Sequence, residues 1–597
     1  MRARAGDPPR NMTQKILAGR SDDPMLGRSE VVAKVDHIAL SKEPNRALWE
    51  AEVQGFKKAA VEAAVAYDPG CITTPARAWA PVQRSAIQKG VAVVRSGMGF
   101  PAAVHLERYG SPARLLITDD PRFAALGGAG MLPLVVSPSQ LGSALCHGTI
   151  VLCPPRSVQI LLSGKLRPFV CVRDVALELL SRGLADVVRR VDMEEGAPVV
   201  LEFAGPSARL LSVADRAVLC MLAPRVGAAG AVFVSDEKTE VYLRDQRRSK
   251  AHRALVPDPG APCADVLNVD LTTVDPLVLD PKGQVRSARE LAGIAVTQVV
   301  LGGDTGTSLR ELLTVAALLK SKRVPPGLDF LLALPSRQGL EVLARSGALV
   351  DLIATGARII EPDAGALEGA LYPPHPTGIS VRTCDPEPTE TGFVVASPET
   401  AAYAVASGQL DDPRSFKRPA RVSVPRSLPT DDVLIIRKPP RGKSKLEPTQ
   451  AGFVAPEALP RPWAEACTLR VVRGAQRPES AGVVVVDSLM DLRYVVAHAT
   501  SWALELRAIV APFIPHGMIP RLAGLGILAL LASEEEMAQI SQATTVKLSA
   551  VDTWSDSVDV AIGESSLSLR WIAAPRERDW TKAATAKTLP NKGRLGR

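Results

Sequence analysis

Val158-Gln-Ile-Leu-Leu-Ser-Gly-Lys-Leu-Arg-Pro168, followed by Val172-Arg-Asp-Val-Ala-Leu-Glu-Leu-Leu180, is the stretch that decides the fold of this 597-residue chain. It opens a series in which helical patterns at Arg173–Arg190, Ser308–Lys322 and Arg337–Ser346 alternate with short apolar runs at Pro198–Phe203, Ala231–Val234, Gln298–Leu301 and Phe330–Leu334. Alternation of this kind predicts parallel sheets covered by helices, an α/β fold.

At about 150 residues per domain, the length allows three or four domains. Residues 1–13 read as a disordered lead, with Met12 as an alternative start, and residues 14–410 as the α/β core. Residues 411–465 are rich in Pro, Lys and Arg and read as a linker around a short strand, Val433–Ile436. A second α/β unit, 466–575, holds a strand Gly482–Val486, a helix through Tyr494–Leu506, a strand Ala508–Ala511 and the apolar run Gly526–Ala532; 576–597 form a basic tail.

A composition of 46% apolar, 22% charged and 4% aromatic residues excludes disorder, collagen-like repeats and coiled coil as descriptions of the whole chain. No apolar run reaches the length of a membrane span, and Met1–Arg10 lacks the apolar core of a secretory signal, so a cytoplasmic protein is expected. The net charge of +8 is concentrated: Pro413–Leu446 holds ten basic and two acidic residues, and Arg576–Arg597 seven and two, which leaves the body mildly acidic. The eight cysteines include no Cys-x-x-Cys pair, and the seven histidines no zinc spacing. The cysteines read as small buried hydrophobes, and His37 and His105 as satisfying local hydrogen bonds.

The opening stretch resembles the "V-x-L-T-G-K-L-x-P…A-R-D-V" segment of the aconitase and isopropylmalate dehydratase superfamily. Further similarity follows in order, at Leu211–Leu243, at Ser397–Arg414 (Ser-Pro-Glu-Thr-Ala-Ala…Asp-Pro-Arg) and at Leu506–Phe513 with Gly526–Leu530, together spanning roughly residues 14–575. The resemblance implies three α/β subdomains forming one wall of a cleft, and a C-terminal swivelling α/β domain that closes over it. In active members, it implies a [4Fe–4S] cluster held by three thiolates.

Those thiolates are missing from the matching positions. The first ligand loop reads Gly302-Gly303-Asp304-Thr305-Gly306-Thr307, with Asp304 in place of Cys; in the second, Pro362–Gly369, Ala364 and Leu367 stand at the other two ligand positions. Phe100 replaces a catalytic-side His just before His105-Leu106-Glu107-Arg108. The family's "D-S-H-T" falls at Asp119-Asp120-Pro121-Arg122, its carboxylate-clamping arginines fall near Pro386 and Thr391, and its serine-arginine loop falls at Asp491–Val496, where Arg493 resembles a survivor one position out of register. General-base dehydration needs a base, a Lewis acid and carboxylate clamps together. Loss of all three points to a pseudoenzyme without the cluster, kept as a scaffold or subunit of a protein complex.

Two other readings stand beside it. Asp119, Asp120, Asp304 and Asp363 would face the ancestral cluster site, and oxygen ligands suit a hard divalent cation, so a hydro-lyase with a changed metal site is one alternative. The basic linker, with Arg437, Lys438, Arg441, Lys443 and Lys445 as candidate partner contacts, also raises RNA binding, because some cluster-free relatives regulate through RNA. Against that, few aromatics are interleaved for base stacking. The Gly127–Gly130 and Gly302-Gly303 pairs have no following Lys-Ser/Thr and read as tight turns rather than phosphate loops.

Overall fold

Strand Arg156–Ser163 carries the deciding stretch. Its alternate residues Val158, Ile160 and Leu162 are fully buried on one face. The chain turns at Gly164, whose φ of +74° suits glycine and where a Cβ would lie 2.1 Å from the Asp270 carboxylate. It then enters helix Val172–Ser181. The helical pattern read as one element, Arg173–Arg190, is two: Gly183 at φ +77° ends the first and starts Leu184–Glu195, while the apolar spacing runs on through both.

A computed structural model describes residues 8–573 and Arg578, apart from 69–82, 364–365, 368, 370, 385–392, 439–464 and 552–554. Three large sheets and one antiparallel pair, Val31–Lys34 with Thr149–Leu152, form the body among the described residues. In the first, the order is Ile435–Ile436, Ala92–Val94, Ala63–Tyr67, His37–Leu40, Leu115–Thr118, Leu132–Val135, parallel throughout except for the antiparallel edge strand Ile435–Ile436. The second places Gly230–Phe233, Val199–Ala204, Arg156–Ser163 and Asp265–Asp270 side by side, all parallel. The third has seven strands, with Val296–Gly302 between Ile379–Arg382 and Asp329–Ala333 at its parallel centre. Each sheet is covered by helices over its own apolar core.

The C-terminal unit is a closed seven-stranded barrel running from Cys467–Arg473 to Ser565–Trp571. Its helix Leu489–His498 begins earlier than the predicted Tyr494, because Ser488 caps the Asp491 N–H. The barrel sits on the body. The His516 backbone N–H donates to Asp192 at 3.0 Å and its Nδ1 lies 2.7 Å from the other carboxylate oxygen, while Arg189 lies over the Phe513 ring. No helix among the described residues is long and apolar enough to cross a membrane.

The predicted linker is docked as far as Arg437. Its strand pairs Ile435 with Val94. Asp432 bonds both Arg108 (3.1 Å) and Arg437 (2.7 Å), and the Pro429 carbonyl accepts from Gln338 at 2.6 Å. Gln338 and Gln246 exchange amide hydrogen bonds, so one polar knot ties residues of all three sheets' surroundings to this strap.

Helices Val172–Ser181, Leu309–Leu319 and Pro398–Ser407 begin around a cavity of about 380 Å³, and each brings a carboxylate to it or beside it. Burial, reinforced by mutual repulsion, pushes Asp174 up to about 7, Glu399 to about 7 and Glu311 to about 8; backbone N–H groups of the helix starts oppose the shift. Acids whose folded pKa is raised give stability that is complete below the unfolded value near 4 and is lost as pH rises through 7–8. The urea midpoint is therefore expected to fall between pH 5 and pH 9, and Glu311→Gln, which cannot ionise, to flatten that fall. An equal fall in wild type and variant would refute this account.

Candidate functional site

Parallel strands present their carboxyl ends as loops, and the positions singled out in the sequence lie on such loops. Gly97–Phe100 follows strand Ala92–Val94, Asp119–Arg122 follows Leu115–Thr118, Gly303–Thr307 follows Val296–Gly302, and Asp363–Leu367 follows Arg358–Ile360. The third-sheet loop is drawn in tightly. Gly302 has φ +112° with its would-be Cβ 1.9 Å from the Ala333 carbonyl oxygen, and at Gly303, φ +97°, a Cβ would lie 2.8 Å from the Cys384 sulfur. No side chain fits either place.

Phe100 and Leu367 come together in one buried apolar cluster with Ala103, Val300, Ala333, Ala366 and Cys384. Leu367 is fully buried and Phe100 is 3% exposed. Beside the cluster, Asp304 is locked to Arg122, whose Nη1 donates to Asp304 Oδ2 at 2.7 Å, while Oδ1 accepts the Thr305 N–H. Both are buried, and neither sign of charge is left uncompensated.

The carboxylates predicted to share a metal are dispersed. Asp119 accepts the backbone N–H groups of Ser41 and Glu43, each at 2.8 Å, and Asp120 caps the 3₁₀ turn Pro121–Ala129 through the Arg122 N–H while accepting from Ser41 Oγ. Asp304 belongs to Arg122. Asp363 is buried at the start of its loop, where its carbonyl accepts the Ala366 N–H. The correction has a physical cause at three of the four: backbone N–H groups hold Asp119, the Arg122 N–H and the Ser41 hydroxyl hold Asp120, and the Arg122 guanidinium holds Asp304. Among the described residues, no three His, Cys, Asp or Glu side chains gather as a metal-holding group.

Nor do the residues present fit a [4Fe–4S] cluster. Such a cluster is held by thiolates, whereas an ion-paired carboxylate, Asp304, and a packed leucine, Leu367, stand at two of the positions that the resemblance assigns to ligands; the third, Ala364, lies outside the described residues. The cysteine of this cluster, Cys384, is fully buried, and burial with the nearby Asp304 pushes its thiol up to about 11.

Two residues that sequence reasoning passed over organise the loops. Arg122 lay inside a quoted motif, but its partner is 182 residues away. Arg382 is fully buried; it donates to the Ala366 and Leu367 carbonyls, lies 3.8 Å over the Phe393 ring, and is pulled down to about 10 by burial. A lone arginine ending the apolar strand Ile379–Arg382 was the available signal. The local hydrogen bonds expected of His37 and His105 are not what the structure shows: His105 meets Tyr67, 38 residues away, at 2.9 Å, and His37 Nδ1 is buried without a partner; burial holds His37 down to about 4 and His105 well below its ordinary value, so both rings are neutral.

Arg493 lines a small cavity, about 100 Å³, between barrel and body, together with Arg122, Arg521, Met221 and Gly517. Of the basic candidates, Arg437 is taken up by Asp432 and lies over the Tyr109 ring, and Lys438 is exposed. Arg441, Lys443, Lys445 and the basic tail beyond Arg578 lie outside the described residues, as do Pro386 and Thr391.

Removing one partner of a buried ion pair strands the other charge. Asp304→Ala and Arg122→Leu are each expected to cost about 3–5 kcal/mol, and the double replacement less than their sum. Chemical denaturation of the three variants checks this; strictly additive losses would count against a direct pair.

Comparison with known proteins agrees with this architecture. The model of the aconitase family (aconitate hydratase) matches residues 76–284. The chain is 25% identical over 424 residues to the 3-isopropylmalate dehydratase large subunit of Elusimicrobium minutum, covering 68% of this chain and 99% of that one. It is also 25% identical over 428 residues to large subunit 1 of Thermotoga maritima, with the same coverage. Over 315 residues it is 26% identical to the probable large subunit of Methanothermobacter thermautotrophicus, covering 51% of this chain and 73% of that one. Over about two thirds of its length the chain is thus similar to the large subunits of 3-isopropylmalate dehydratases, and over residues 76–284 to the aconitase family.

Proposed function

We propose that this protein is a catalytically inactive member of its superfamily that binds no [4Fe–4S] cluster and serves as a scaffold or subunit in a complex with another protein. One observation carries the reading: the loop that would offer a thiolate instead offers Asp304, closed against Arg122 at 2.7 Å and backed by the packed Phe100 and Leu367. Dehydration of the cluster-dependent type needs a proton acceptor and a Lewis acid at the same substrate. Here Asp119 and Asp120 are tied to backbone donors instead.

The relatives' printed name, large subunit, supports a protein partner. Lys438 with Arg441, Lys443 and Lys445 are the proposed contacts, as a basic stretch suits an acidic protein surface. The relatives are dehydratases by name, and Arg122, Arg493 and Arg521 around the interdomain cavity suit a substrate's carboxylates, which favours a second reading, a hydro-lyase with a changed metal site, although among the described residues no ligand set for that metal gathers.

Native purification separates the readings. The expected outcome is a colourless protein in a fixed stoichiometric complex, with no turnover of cis-aconitate or isopropylmalate above background. Stoichiometric Mg, Mn or Fe with robust turnover would overturn the proposal in favour of the second reading. Nucleic acid that is released as salt rises, without a protein partner, would overturn it in favour of RNA binding.

A further inference from the structure

A second cleft, separate from the one between barrel and body, opens where the three subdomains meet under the docked strap. It encloses about 450 Å³, the size of a metabolite site. Helix Pro101–Arg108 of the first subdomain contributes Leu106 and Glu107, helix Glu237–Asp245 contributes Val241, the third-sheet loops contribute Thr305 and Ser336, and Val424–Leu428 of the strap form the roof.

Its polar atoms are incompletely matched. Glu107 Oε1 accepts from Ser336 Oγ at 2.6 Å, while Oε2 is buried with no hydrogen-bond partner. Thr305, 8% exposed, likewise has a hydroxyl without a partner. Buried oxygens left so are costly, by about 1–3 kcal/mol each, unless a donor arrives. The charge arrangement says which donor. The carboxylates of the lining, Glu107, Asp215, Asp245 and Asp304, are buried or half-buried, whereas its basic residues, Lys238 and Arg310, are exposed at the rim. The walls between are apolar, from Leu106, Val241 and Leu309.

We propose that this cleft binds a small amphipathic organic cation, its apolar body against Leu106, Val241 and Leu309 and its ammonium on Glu107 and Thr305. The proposal does not rest on the inactive-scaffold reading, although the cleft shares Asp304 and Thr305 with the loop that carries that reading. The same geometry gives a pH dependence. Burial pushes Glu107 up to about 7, with Asp432 raising it and the Ser336 hydrogen bond and Arg108 opposing; Asp215, Lys238, Tyr242, Asp245, Asp304 and Arg310 are the other titratable or charged groups around the cleft. An ammonium binds the ionised carboxylate, so affinity rises as pH passes upward through 7.

Tyramine and 4-ethylphenol, which differ by the ammonium group alone, are the probes, titrated into the full-length protein by calorimetry and saturation-transfer NMR. Tyramine is expected to bind at least tenfold more tightly than 4-ethylphenol, and severalfold more tightly at pH 8 than at pH 6. Glu107→Gln, which keeps the Ser336 hydrogen bond, is expected to erase that preference. Equal binding of the two probes, no binding of either at millimolar concentration, or a preference unchanged in Glu107→Gln would overturn the proposal. The wild-type comparison of probes and pH values decides the matter even where the variant fails to fold.

Discussion

Arg122 and Asp304 meet 2.7 Å apart in a place from which water is nearly excluded. Neither charge could be buried without the other, because the desolvation of an isolated ion exceeds what local hydrogen bonds return. The pair therefore fixes where the loop after Leu115–Thr118 lies against the loop after Val296–Gly302, and with it how the first and third sheets face each other. Asp120 holds the Arg122 backbone and the Thr305 N–H holds Asp304, so both partners are oriented before they meet. Phe100, Leu367 and Cys384 then fill the space alongside, and Arg382 anchors the carbonyls of the loop that bears Leu367. One ion pair and an apolar plug hold these loops together.

The strap from Asp411 to Arg437 is the other structural constraint. Its composition is that of a solvated linker, yet Asp432 lies between Arg108 and Arg437, and the Pro429 carbonyl receives Gln338. Because Gln338 is paired with Gln246 and Arg108 also reaches Gln246, a strap residue that moved would disturb contacts from all three subdomains at once. The barrel is attached to the body differently, through the His516–Asp192 contact, the Phe513 ring beneath Arg189 and the close packing of Gly517 and Gly524 on Ala229 and Ser137, and part of its seam encloses a cavity.

The parts of this architecture that depend on neighbours in sequence were readable in the chain. Strand–helix alternation indicated the class of fold, and the ordered strings around Lys165, Asp236 and Ser397 carried the resemblance to the superfamily, because turns and helix caps need particular residues at particular offsets. The helix Arg337–Ser346 stands where its pattern put it. What was hidden depends on distance. Nothing in the spacing of Arg122 and Asp304, or of Glu107 and Ser336 229 residues apart, announces a contact. The four aspartates looked like a ligand set because loop position alone was visible; which N–H groups lay in front of Asp119 was not. The strap misled for the opposite reason: its lysines, arginines and prolines suggested solvent, whereas two isoleucines and one aspartate decided its course.

Ile435–Ile436 is a strand of two residues, but it is the edge of the first sheet, pairing Val94 and Val93. Translation makes that edge long before its cover. Roughly 340 residues separate Val94 from Ile435, which at about 5–20 residues per second is on the order of 20–70 s of synthesis. Through that interval the nascent chain carries a parallel sheet with an open, apolar border, the kind of template on which chains pair with one another. The completed first subdomain is thus a product of the whole body's synthesis rather than an early landmark, and chains cut short between the third sheet and the strap would emerge with that border still unpaired.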